Sequence, residues 1–210
     1  MRKVYKSIEE VRTVFPDAKI HEYESFFMIE DEKTVSILPK ALSKERIYTT
    51  LLSNGFPEKY LKVIFNGLEE TEAIKKVREM RKRGAILDGP PGVGKSIAST
   101  WKIAKLLQSR QIANPLYLSC VAFPDLKTLY NSYKEYDAYL IDDLIATLPQ
   151  HRLELIIEIL YFAELQEKYI FITSNSFTEV AKSFPEAILS RLVSYCERHK
   201  IKENKDLRLQ

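Results

Sequence analysis

Residues 87–96 read LDGPPGVGKS, and they hold three of the chain's six glycines, Gly89, Gly92 and Gly94, with none following. Glycine loses more backbone entropy on folding than any other residue. It is kept where φ must be positive or where something must approach the main chain closely. The stretch satisfies G-x-x-x-x-G-K-[ST], with Gly89 through Ser96 as its eight positions. Its frame is also the required one, because an apolar strand-like run ends at Asp88 and a helical pattern opens at Lys95. In that geometry the loop of Gly89, Pro90, Pro91, Gly92, Val93, Gly94, Lys95, Ser96 and Ile97, through the backbone N–H groups of its non-proline residues, and the positive end of the helix surround an anionic phosphate chain. Pro90 and Pro91 set φ and remove two donors.

From residue 84 onward the chain alternates strand and helix. Five apolar runs read as strands: AILD (85–88), LYLSCV (116–121), AYLID (138–142), YIFIT (169–173) and LVSYCE (192–197). They lack polar alternation, as strands covered on both faces do. Between them, Ile97, Trp101, Ala104 and Leu107, and then Leu153, Ile156, Leu160 and Ala163, recur at helical spacing. The expected fold is α/β: a P-loop three-layer sandwich on a five-stranded, mainly parallel sheet.

A second polar constellation follows. AYLIDDL ends a strand in paired carboxylates, Asp142 and Asp143. Beside a phosphate loop, the first would hold Mg²⁺ together with the Ser96 hydroxyl, and the second would orient or deprotonate an attacking water. YIFIT runs into Ser174 and Asn175, where a polar side chain can hold the same water. EAILSRL places Arg191 on a helix before the last strand. Alone it reads as an ordinary surface arginine; in order after the other elements it reads as one that enters a neighbouring subunit's site to meet the γ-phosphate, which would imply an oligomer.

Upstream the texture changes. SIEEVRTVF reads as a short helix, KIHEYESFFMIEDEKTVSIL as a hairpin turning at Asp31-Glu32-Lys33, and SKERIYTTLLSNG as a helix stopping at Gly55. The expected boundary lies near residue 50, giving a small N-terminal α+β region (1–50) for partner binding and a nucleotide-binding domain (51–210). Net charge is only +3, but Lys75, Lys76, Arg78, Arg81, Lys82 and Arg83 cluster in IKKVREMRKRG. Such a run is either a solvated helix face, with Ile74, Val77 and Met80 beneath it, or a phosphate-contacting patch. Cys120 and Cys196 lie in apolar runs and His21, His151 and His199 are scattered, which points to reduced buried thiols rather than a disulfide or metal site. With no long apolar span and acids among the first residues, the expectation is an intracellular, cytoplasmic protein outside the membrane.

Taken together, these residues resemble the AAA+ ATPases, in the DnaC/IstB branch of helicase loaders and transposition helpers close to the DnaA initiators. The resemblance covers residues 51–210 through SNGFPEKYLKVIF, GPPGVGKS, YLIDDL, FITSN and ILSRL. It implies Lys95 and Ser96 as the Walker A pair, Asp142 as the Walker B metal residue and Asp143 as the catalytic carboxylate. It further implies Asn175 as sensor 1 and Arg191 as arginine finger. The cofactors implied are ATP and Mg²⁺. The function implied is that of an oligomerising replication ATPase, forming a ring or spiral, with single-stranded DNA and a replicative helicase or a transposase as partners. After LVSYCE about a dozen residues remain, too few for the C-terminal helical lid of ordinary AAA+ proteins; the tail carries Asp206-Leu207-Arg208, similar to a DLR motif of this branch. The branch has a longer two-helix insertion before Walker B that contributes to DNA binding, whereas FPDLKTLYNSY holds room for one helix, and Leu144-Ile145 stand where a glycine often follows the aspartates. A transposition helper, a P-loop kinase and a nucleotide-gated scaffold without turnover remain the alternative readings.

Overall fold

The computed structural model describes residues 4–31 and 34–202. Its N-terminal part holds α1 (Ile8–Val14) and a meander of β1 (Lys19–Glu22), β2 (Phe26–Asp31) and β3 (Thr34–Pro39). Helices α2 (Lys44–Ser53), α3 (Glu58–Asn66) and α4 (Glu72–Glu79) lead into the alternating part. That part comprises β4 (Gly84–Asp88), α5 (Lys95–Gln108), β5 (Pro115–Ser119), α6 (Leu126–Ser132), β6 (Ala138–Asp142) and α7 (Gln150–Leu165). It continues with β7 (Tyr169–Ser174), α8 (Phe177–Ala181), α9 (Glu186–Tyr195) and β8 (Cys196–Lys200).

The large sheet runs β5-β6-β7-β4-β8, all parallel. This order decides which face each helix covers. Parallel crossovers are right-handed, so connections that step in opposite directions lie on opposite faces. From β4 the chain steps back to the far edge through α5; every later connection steps the other way. Strand residues sort accordingly. Ala85, Leu140 and Phe171 pack with Ile103 and Leu107 of α5, while Ile86, Ile141 and Ile172 pack with Ile156 and Ile159 of α7. The predicted α/β sandwich is thus present, its three middle strands covered on both faces.

Two strand predictions shift. The run LVSYCE (192–197) is not a strand over its first four residues: α9 continues to Tyr195, and β8 begins at Cys196. Ile188, Leu192 and Tyr195 keep helical spacing onto the α7 side, whereas β8 is an edge strand whose polar residues alternate outward. Likewise LYLSCV ends as a strand at Ser119, and Val121 is exposed. The N-terminal hairpin is a three-stranded meander, with an additional turn in which Tyr23 stacks on Phe26. Asp31 pairs with Thr34 as the predicted turn requires; Glu32 and Lys33 lie outside the described residues, as does the Asp206-Leu207-Arg208 tail.

Helix α2 crosses residue 50 and places Ile47 and Leu51 in the same core as α5. Gly55, at φ +82°, follows its C-cap. Half of the basic run serves the fold: Arg78 pairs with Glu70, Lys82 donates to the Ser194 carbonyl (2.6 Å) at the end of α9, and Arg83 donates to the Glu167 carbonyl. Both cysteines are buried and free, their thiols pushed up to about 12 by burial. Among the described residues no helix is long and apolar enough to cross a membrane.

Candidate nucleotide site

The site forms where the strand order reverses, at the carboxyl ends of β4, β6 and β7, the position ligands take in open α/β sheets. Residues 89–94 turn from β4 into α5. Gly94 sits at φ +84° as the N-cap, a left-handed conformation that costs a side-chain-bearing residue strain. Gly89 is required for another reason: a Cβ there would run into the Ile201 carbonyl. Lys95 opens the helix and is 4% exposed. Its ammonium donates to the carbonyls of Gly89 and Pro90 (both 2.7 Å) and to Asn175 Oδ1 (3.0 Å). The predicted Walker A lysine and sensor asparagine therefore meet, because they follow the adjacent strands β4 and β7, although they are far apart in sequence.

Asp142, at the end of β6, is 2% exposed, so an ionised carboxylate there needs partners. It has three hydroxyls. Oδ1 accepts from Thr173 Oγ1 (2.6 Å), and Oδ2 from Tyr117 (2.7 Å) and Tyr60 (3.4 Å). Burial first, and then the Asp142 charge, raise both phenols above their ordinary range, which keeps them neutral donors. The same two aspartates, after burial, raise the Cys120 thiol. Negative charge is thus concentrated at this edge.

Asp143 departs from regular backbone, with φ +53°. Its N–H donates to Thr173 Oγ1 (2.9 Å), and the next N–H, of Leu144, donates to the Thr173 carbonyl (2.8 Å). Aspartate tolerates this conformation better than most residues, and such outliers concentrate at functional sites. The turn directs the side chain into a groove of about 310 Å³, whose walls include Tyr60, Gly92, Lys95, Ser96 and Ile97.

Arg191 is not part of this groove. It lies on α9, paired with Glu164 (2.8 Å) and stacked over Tyr161 of α7. Tyr60, Tyr117, Thr173 and Asp88 escaped the motif reading. Asp88 joins three segments, accepting from the Phe177 N–H (3.0 Å) and Arg198 (2.6 Å) while its carbonyl receives Ile201. No local pattern marks these residues, because every partner is distant in sequence.

No family model and no curated protein matches the sequence. Solved structures do. The DnaC helicase loader aligns with TM-score 0.55 and 18% identity over 70% of this chain and 100% of its own. A primosome component from Streptococcus pyogenes serotype M3 aligns with TM-score 0.53 and 19% identity over 70% and 90%. The replication initiator DnaA, bound to AMPPCP and single-stranded DNA, aligns with TM-score 0.51 and 18% identity over 72% of this chain and 52% of that one. The chain has the fold of the DnaC helicase loader and of DnaA, with Lys95, Asp142, Asp143 and Asn175 assembled at the carboxyl ends of its central strands.

Proposed function

We propose that the protein is an oligomerising, magnesium-dependent ATPase acting in DNA replication in the manner of a DnaC-type helicase loader. The observation that carries this is the convergence of Lys95, Ser96, Asp142, Asp143 and Asn175 on one edge of an AAA+ fold. The donor set suits the cofactor: a carboxylate and a hydroxyl are hard oxygen ligands, and Mg²⁺ takes one or two protein oxygens besides phosphate and water. The cation, held by Ser96 and Asp142, would neutralise charge on the β- and γ-phosphates.

The chain's own residues do the rest. Main-chain N–H groups of residues 92–97 bind the phosphates, and Lys95 turns its ammonium from the loop carbonyls to them. Asp143 accepts a proton from the attacking water, which Asn175 orients. Arg191 of a neighbouring subunit completes the site, so turnover follows assembly into a ring or spiral. Residues 51–210 form the ATPase unit and residues 1–50 recognise a protein client, a helicase or a transposase. Single-stranded DNA binds to the assembly, a reading supported by the DnaA likeness and by exposed Lys75 and Arg81.

The test is fluorescence anisotropy of a labelled single-stranded oligonucleotide, with phosphate release measured alongside. Salt-sensitive binding with ATP but not ADP is expected. Absence of phosphate release in any condition would overturn the ATPase reading, and absence of binding in every nucleotide state the DNA part.

Tyr60 gives a finer prediction. Its hydroxyl is bonded to Asp142, the carboxylate that would hold the cation. Removing it in Tyr60→Phe leaves Asp142 bound by Tyr117 and Thr173. The magnesium concentration for half-maximal binding of a fluorescent ATP analogue is expected to fall about fivefold, the equivalent of one hydrogen bond of about 1 kcal/mol. Binding in EDTA should not change.

A further inference from the structure

A groove runs along the seam between the N-terminal meander and the α2–α5 face, away from the nucleotide site. At one end Lys6, Lys40, Lys44, Arg46 and Arg110 surround a space of about 370 Å³. Across Lys44 and Gln108 it continues into a slot of about 220 Å³ between α2, α3 and α5. The slot is lined by Ile47, Ile64, Phe65 and Trp101, with Lys105 at its rim.

Its charge is poorly compensated. Lys40 pairs with Glu22, and Arg46 faces Glu24 at 3.8 Å between exposed side chains. Arg110 donates to the carbonyls of Lys40 and Ser25, neutral partners that leave its charge uncompensated. Among the described residues Lys6, Lys44 and Lys105 make no ion pair. Burial, and then the charges of Lys6 and Lys44, lower the Lys105 ammonium from its usual range. Like charges held together without a counter-ion repel, and an incoming anion relieves that repulsion.

The apolar half narrows the class of anion. Single strands bind basic grooves by stacking bases on open aromatic faces. Here the Trp101 ring already carries Arg78 (5.6 Å) and Lys105 (6.0 Å), and Phe65 is packed against Tyr48 (5.8 Å). What remains is an aliphatic slot of side-chain size flanked by ammonium groups. That combination matches a peptide that inserts one large apolar side chain and lays carboxylates along the rim.

We propose that this groove docks an acidic segment of a protein partner, anchored by one apolar side chain in the slot between Ile47, Ile64 and Trp101. The site needs no nucleotide chemistry, so it stands or falls apart from the ATPase reading.

Trp101 is the only tryptophan in the chain, so its emission reports occupancy of the slot directly. The probe is a short synthetic peptide of glutamates with leucines at helical spacing, compared with a serine-for-glutamate version and with an oligothymidylate. The acidic peptide is expected to shift Trp101 emission saturably, and the serine version to bind at least about tenfold more weakly. The double variant Lys44→Glu, Lys105→Glu should lose at least about tenfold in affinity, while Lys75→Glu, Lys76→Glu on α4 keeps it. Circular dichroism checks that both variants fold, as their exposed or half-buried positions lead one to expect. The proposal is overturned by unmoved Trp101 emission or by equal loss in both double variants. It is also overturned if the oligothymidylate binds more tightly and is lost with Lys44 and Lys105, which would make the groove a nucleic-acid site.

Discussion

Lys95→Ala is expected to lower ATP turnover by about 10²–10³-fold, the usual cost of removing one preorganised charge from a phosphoryl-transfer site. Nucleotide binding is expected to weaken at least about tenfold. Both effects follow from where the ammonium is held. It is buried, within reach of the loop that would carry the phosphates, and three neutral groups are among its partners: two carbonyls and Asn175. A phosphate oxygen offers it a charge-assisted bond instead, roughly twice as strong as a neutral one. Truncation removes that partner and leaves the rest of the loop in place. Titration of a fluorescent ATP analogue measures the first effect, phosphate release the second, and a thermal melt shows that the variant is folded. A variant that binds ATP as tightly as the parent would mean that the loop holds something other than a triphosphate.

Arg191→Ala is expected to cost about 10³-fold in turnover while ATP binding by the isolated subunit stays within twofold. Among the described residues of its own chain Arg191 is 43% exposed and is held by Glu164 and the face of Tyr161. An exposed surface pair of that kind contributes little, so leaving it for a neighbour's γ-phosphate costs little. The subunit origin of the effect can be read by mixing. Asp143→Asn keeps a residue that tolerates φ +53° but removes the proton acceptor, and alone it should be inactive. Combined with Arg191→Ala, it should restore part of the activity, because one interface then holds an intact Asp143 and an intact Arg191. If Arg191→Ala turns over at the parental rate, the residue is a surface arginine tying α9 to α7, and the assembly-dependent mechanism fails.

The two aspartates show how far motif reading extends. That Asp142 and Asp143 end a strand beside the phosphate loop was legible in AYLIDD. That Asp142 lies under two tyrosines, one of them from the lead-in helix α3, was not. The displaced last strand makes the same point about the fold. The apolar run LVSYC belongs mostly to a helix, while the real edge strand, CERHK, is polar because it has one neighbour and an open side. The basic run at 75–83 likewise looked uniform in sequence, yet Lys82 and Arg83 are engaged by α9 and by the turn before β7.

What the sequence by itself determined is local: glycines where backbone must turn left-handed, helical and strand periodicities, and the chemistry-bearing residues at strand ends. These follow from φ preferences and side-chain spacing within a dozen residues, so they need no knowledge of the rest of the chain. The tertiary structure alone decided the meetings. β6, β7 and β4 lie side by side because right-handed crossovers send α5 to one face of the sheet and α7 to the other. That order brings Lys95 to Asn175, Tyr60 and Tyr117 to Asp142, and Arg198 to Asp88. Contacts across such separations depend on the packing of whole layers, and no local pattern encodes them.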